Sequence, residues 1–250
     1  MKIINFTTVL VLALLLFSCA TESKSGLDFF KNQTAQQIYE DGMQALSKKN
    51  YDSAVQHFEA LDTLYPFGEY AESGLINLVY AYYKNGDYAA AAAVAERYIH
   101  LYPTSSRVDY AYYLKAMSNF EKDKTWLSNI YVRDPATRDL SSLQTAFIDF
   151  SELVTQFPKS EYAHDARNRM LYIRNLIARH ELQVANFYLQ HEAYVAAANR
   201  AAYIVEHFEG TPQVVEALKI MIKAYSALGN AKEANDALKV LKRNYPNVKI

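Results

Sequence analysis

Leu75, Leu78 and Tyr82 follow one another at spacings of three and four residues, which places them on one face of a predicted helix. Gly86 supplies the backbone freedom to end that helix, and Asp87 and Tyr88 open a second one. On this second helix Ala91 is small enough to let the pair pack closely, and Leu101, Tyr102 and Pro103 close the unit. The pattern predicts a helical hairpin with one apolar face.

The same order of residues recurs along the chain. Gly42, Tyr51, Ala54, Phe58 and Pro66 give an earlier copy, and Leu218, Tyr225, Gly229, Ala234, Leu238 and Pro246 give the last. Tyr188, Tyr194, Ala197, Ala201 and Ile204 fit a fourth unit, in which Glu209 stands at the proline position and Thr211 with Pro212 opens the next helix. Ala146, Phe150, Leu153 and Pro158 mark another second helix, whose first helix is predicted over 107–122. An insertion around 126–139 therefore swells this unit, and within it Asp134 before Pro135 caps a short helix. Neither proline nor glycine occurs over 161–208, so the fourth unit begins with a first helix about twice the usual length.

These units predict an all-α fold, a tetratricopeptide-type helical-hairpin solenoid of about five repeats near 34–68, 70–105, 107–160, 161–210 and 211–246. Each hairpin has an apolar face that only its neighbours can cover, so the array stacks and forms a concave wall built mostly from first helices. Such a wall binds an extended peptide or a partner's domain. The 21 tyrosines suit it, because each has an apolar ring and a polar tip.

Ahead of the repeats, Lys2 precedes an apolar run over 3–17 and then Ser18 and Cys19, the order of a secretory signal over 1–18. That run is too short to span a bilayer, which takes roughly 20 apolar residues. Leu16, Phe17, Ser18 and Cys19 resemble the bacterial lipobox, which implies cleavage before Cys19 and a lipid on its thiol. Cys19 is the only cysteine and has no internal disulfide partner, so lipidation is the use the sequence offers it. Three acyl chains would make a durable membrane anchor, since each buried methylene contributes about 0.8 kcal/mol. Ala20 stands where the inner-membrane retention signal resembles an aspartate, which implies sorting to the outer membrane with the body facing the periplasm. Residues 19–33 read as a lipidated terminus and flexible tether, and Thr34 with Gln37 forms a capping box at the start of the folded body.

Removing 1–18 deletes one positive charge, Lys2, leaving 25 Lys and Arg against 27 Asp and Glu, a formal charge of 2 negative. Nothing in that balance attracts nucleic acid. The six histidines include no pair at the spacing that puts two metal ligands on one helical face, and no phosphate loop or Gly-x-Ser-x-Gly elbow occurs. The expectation is a binding scaffold with no cofactor, no metal and no catalytic residue.

The segment from Glu59, Ala60 and Leu61 through Tyr65, Pro66, Phe67, Gly68, Glu69 and Tyr70 resembles the first-repeat signature of the BamD family, lipoproteins of the outer-membrane β-barrel assembly machinery. Tyr80, Ala81, Tyr82, Tyr83, Lys84 and Asn85 are similar to the family's second repeat. Arg133, Asp134 and Pro135 with Ala146, Phe147, Phe150 and Leu153 resemble its inserted third, and Pro158, Ser160, Tyr162, Asp165 and Ala166 continue the match. Ala193, Tyr194, Val195, Ala196, Asn199 and Arg200 extend it, while Phe157 stands where the family usually has tyrosine.

The resemblance implies a non-enzymatic subunit whose C-terminal half binds the periplasmic domain of a BamA-like barrel insertase. It implies that the N-terminal half receives unfolded outer-membrane proteins, and that accessory Bam lipoproteins dock. Tyr65 matches a family position implicated in substrate recognition, and ordinary packing at a repeat junction is the alternative. Arg200 matches one implicated in insertase and substrate contact, with Asn199 beside it. The immediate neighbours of Arg200 carry little charge, which leaves its guanidinium for a partner, and the alternative is an ion pair within the chain to Glu206 or Glu181. A periplasmic repeat lipoprotein that binds cell-wall glycan, or adapts hydrolases to it, is the competing function.

Overall fold

The computed structural model describes residues 26–122, 134–137 and 139–248. The signal segment 1–18, Cys19 and most of the predicted insertion lie outside them. The described residues form ten α-helices with no strand, in two compact units, one ending at Leu78 and the other beginning at Val79.

In the first unit Thr34 closes the N-terminus of α1 (Ala35–Ser47) with the reciprocal bonds that its sequence predicts. Its hydroxyl accepts from the Gln37 N–H at 3.2 Å, and Gln37 Oε1 accepts from the Thr34 N–H at 2.9 Å. Helix α2 (Tyr51–Leu64) packs on α1 through Phe58, which has no exposed surface. Burying a ring of that size stabilises by about 1.5–3 kcal/mol. Gly42 makes the approach possible, because a Cβ there would lie 2.9 Å from the Phe58 ring. Helix α3 (Ala71–Asn85) begins in this unit and buries Leu75 and Leu78, with Gly74 fitted against Leu61.

Residues 26–33, the described part of the tether expected over 19–33, are folded onto the first unit. Gly26–Phe29 is a turn of 3-10 helix, Phe30 is only 6% exposed, and the Phe30 ring meets His57 edge-on at 5.1 Å. Gln33 accepts a hydrogen bond on its carbonyl from the Tyr65 hydroxyl at 2.7 Å. A polar sequence broken by one glycine concealed a single apolar anchor, Phe30.

The second unit continues α3 and adds α4 (Tyr88–Leu101), α5 (Val108–Glu121), α6 (Ser141–Gln156) and α7 (Ala163–Gln190), then α8 (Tyr194–His207), α9 (Gln213–Ala227) and α10 (Ala231–Asn244). From α4 onward each helix packs on the next, and α7 also reaches α9. The alanines of the repeat pattern, Ala91, Ala146, Ala197 and Ala201, have no exposed surface, so helix axes approach closely where they stand. The stretch without proline or glycine contains α7, 28 residues without a break. At 1.5 Å per residue it is about 42 Å long.

Five helices end alike. Tyr65, Tyr102, Phe157, Phe208 and Tyr245 each close a helix with an extended φ between −134° and −122° and donate their N–H to the carbonyl four residues earlier. Four of them precede proline, whose ring excludes the helical conformation from the residue before it. Phe208 precedes Glu209 instead, and its ψ of 36° is the smallest of the five, against 56–64° for the others. The turns within hairpins show a second regularity. Gly86 and Gly229 take positive φ, and Lys49 and Glu192 occupy the corresponding place with φ of 57° and 59° despite their side chains.

Candidate functional site

The second unit gathers tyrosines from α3, α5 and the start of α7 onto one patch. Tyr110 and Tyr113 lie one turn apart on α5, and Tyr162 stands at the N-terminus of α7. The Tyr162 ring stacks on Tyr113 at 4.8 Å and 21°, and lies 5.3 Å from Tyr110. Tyr80 and Tyr83 of α3 pack with Tyr110 against the buried Val79, Ala95 and Leu114. Burial is the main cause that pushes the Tyr83 and Tyr113 phenols up to about 12 and raises those of Tyr110 and Tyr162. All four rings are therefore neutral across the physiological range.

One ion pair sits at the edge of this patch. Tyr113 donates its hydroxyl to Asp165 Oδ2 at 2.7 Å, and Arg169 Nε donates to the same oxygen at 2.5 Å. Burial pushes the Asp165 carboxyl up, but hydrogen bonds from Arg169 and Tyr113, with the charge of Arg169, hold it below the usual range. The Arg169 guanidinium also lies over the Phe120 ring, 4.9 Å from its centre. The four tyrosines are half-buried, so the patch combines packed rings with polar atoms fixed at its edge. The upward shifts move these phenols away from phenolate, so the patch holds no activated tyrosine.

A second polar group ties three helices together. Lys115 on α5 pairs with Glu96 on α4 and with Asp149 on α6, the latter at 3.2 Å, while Asn119 donates to Asp149 at 2.7 Å. The hydrogen bond from Lys115 is the main cause that holds the Glu96 carboxyl down. Asp149 is almost completely buried and satisfied by both partners, which marks the cluster as structural.

The site residues named from sequence fall in different places. Tyr65 caps α2 in the first unit and is half-buried, with its hydroxyl on Gln33. Asn199 and Arg200 lie on α8 in the second unit, and Asn199 is exposed. Arg200 is not left to itself: Nη1 donates to Glu181 Oε2 on α7 at 3.0 Å. Its immediate neighbours in sequence are uncharged, but its neighbour in space, 19 residues away, is not. Among the described residues no group of His, Cys, Asp and Glu is arranged to hold a metal ion. Tyr110, Tyr113 and Arg169 were missed as a group, and the tyrosine count was the signal that could have found them.

A family described as "Outer membrane lipoprotein" (YfiO) matches residues 31–241. The chain belongs to this family. Within reach of it by sequence is the "Outer membrane protein assembly factor BamD" of Pasteurella multocida (strain Pm70), 35% identical over 227 residues, 91% of this chain and 85% of that one. The protein of the same description from Vibrio cholerae serotype O1 is 34% identical over 229 residues, 92% of this chain and 93% of its own. The counterpart from Neisseria meningitidis serogroup A is 35% identical over 248 residues, 98% of this chain and 92% of the relative. The matched stretch includes both the tyrosine patch and the α7–α8 pair that carries Arg200, so both are features of a family member and not of an added domain.

Proposed function

We propose that this protein is a non-enzymatic lipoprotein subunit of the outer-membrane β-barrel assembly complex, anchored by lipid on Cys19 and facing the periplasm. The observation that carries this reading is similarity along nearly the full length of assembly factors that share one description. The cluster of neutral, half-buried tyrosines is compatible with it, since their partly exposed edges could meet an extended strand of an unfolded barrel protein.

In this reading Arg200 and the exposed Asn199 meet the periplasmic domain of the insertase. The Arg200 side chain is 48% exposed and Glu181 only 13%, so the carboxylate steadies one arm of the fork while the rest faces outward. A planar guanidinium held in this way can grip a partner's carboxylate with two bonds. Tyr65 serves the first unit by fixing residues 26–33 through Gln33, and its partly exposed ring takes part in substrate contact. Accessory lipoproteins of the complex dock on the remaining surface.

The test is to draw the lipidated protein from gently solubilised outer membranes and identify stoichiometric partners. A barrel insertase among them is the expected result. Retention on isolated cell-wall glycan with no insertase would replace this function with the glycan-binding one.

A further inference from the structure

Phe29 is 70% exposed, although the residue after it is buried with its ring against His57 of α2. Single exposed apolar side chains are ordinary on protein surfaces. Phe29 differs in where it stands, ten residues after Cys19. A chain of that length reaches at most about 36 Å when fully extended, so a lipid on Cys19 confines Phe29 to the neighbourhood of the bilayer surface.

Three features fit it to that surface. The ring is held out firmly, because Phe30 meets it edge-on at 5.1 Å and is itself fixed against His57, while Gln33 is tied to Tyr65. The flanking charges cancel, since Lys31 pairs with Asp28 at 2.5 Å and neither sign dominates the turn. The side chain just ahead in the turn, Leu27, is apolar and only partly covered. An apolar tip on a turn of no net charge enters the headgroup and acyl boundary without stranding an ion there.

We infer that Phe29, presented by the Gly26–Phe29 turn, is a second membrane contact that inserts into the phospholipid surface beside the Cys19 anchor. The inference rests on the lipid-anchor reading. A lipid on Cys19 alone would fix only that residue to the membrane. A rigid ring inserted next to it fixes a point on the folded body to the bilayer, and the short tether makes this weak contact effectively intramolecular.

The test uses the full lipidated chain in vesicles of phosphatidylethanolamine and phosphatidylglycerol, with or without bromine on the acyl chains. Phe29→Trp adds one indole to the Trp126 of the parent, and the parent supplies the baseline. The exposed side chain should accept the change with helical content and melting temperature retained. Bromine near the headgroup end is expected to cut the added emission by about twofold or more, as for a side chain seated in the interface. A chain that carries the acyl groups and floats with the vesicles but shows no added quenching overturns the membrane contact and leaves the anchor standing. A chain with no acyl group on Cys19 that stays in solution overturns both.

Discussion

Arg200 on α8 donates to Glu181 on α7 across 3.0 Å, and its partner is the more buried of the two. A pair this open to water contributes about 0–1 kcal/mol to stability. Arg200→Glu is therefore expected to lower stability by roughly 1 kcal/mol or slightly more, through like charges facing each other. If Arg200 also meets the insertase, affinity should fall at least about tenfold, or about 1.4 kcal/mol. Glu181→Gln removes the internal partner alone and should leave affinity within about twofold, a change under 0.5 kcal/mol. Calorimetry and binding of the insertase domain separate the effects, and equal losses of affinity in both variants would make the contact purely structural.

The Gly42 and Ala91 positions should refuse larger side chains. Gly42→Ala places a methyl 2.9 Å from the Phe58 ring, and Ala91→Leu fills a site with no exposed surface. Each is expected to cost about 1–3 kcal/mol by overpacking. Thermal unfolding of the soluble chain measures it, and an unchanged midpoint would show that the helices separate freely there.

Glu192 takes φ of 59° where two other hairpin turns use glycine. A left-handed backbone costs a residue with a Cβ about 1–2 kcal/mol, and glycine returns part of the gain as unfolded-state entropy. Glu192→Gly is expected to stabilise the protein by about 0.5 kcal/mol, seen as a higher midpoint in urea. Lower stability would mean that the glutamate side chain has a structural task.

The tyrosine patch should set an alkaline limit. Folding raises the phenol of Tyr113 from 10.0 to about 12, because burial disfavours phenolate. The protonated form is thus favoured by folding. The contribution is fully present below pH 10 and is lost as pH rises toward about 12. Tyr113→Phe removes this residue's share of the dependence and leaves that of Tyr83, Tyr110 and Tyr162, and it should cost about 1 kcal/mol at neutral pH for the lost bond to Asp165. Melting temperatures across that alkaline range, compared between parent and variant, show whether the slope is reduced.

Much of the fold was legible because its signals are local. The Thr34 box, the glycine turns and the apolar spacing of α3 involve residues within a few positions of each other, and all appear in the structure. The site was less legible because its bonds join distant residues. Tyr113 and Asp165 are 52 residues apart, and Tyr65 and Gln33 are 32 apart. Spacing along the chain carries no signal for either. Arg200 is an intermediate case: the sequence offered Glu206 and Glu181 as alternative partners within the chain, and only the packing of α8 on α7 selects Glu181.

Helix α7 carries Asp165 in its first turn and Glu181 about two thirds of the way along, with Ile173 buried between them. Sixteen residues at 1.5 Å each set the two carboxylates about 24 Å apart along one axis. An unbroken helix of this kind is a lever. If the tyrosines beside Asp165 receive cargo and Arg200 meets the insertase, as proposed, one unbroken helix joins the two contacts, and a tilt at the first would carry to the second.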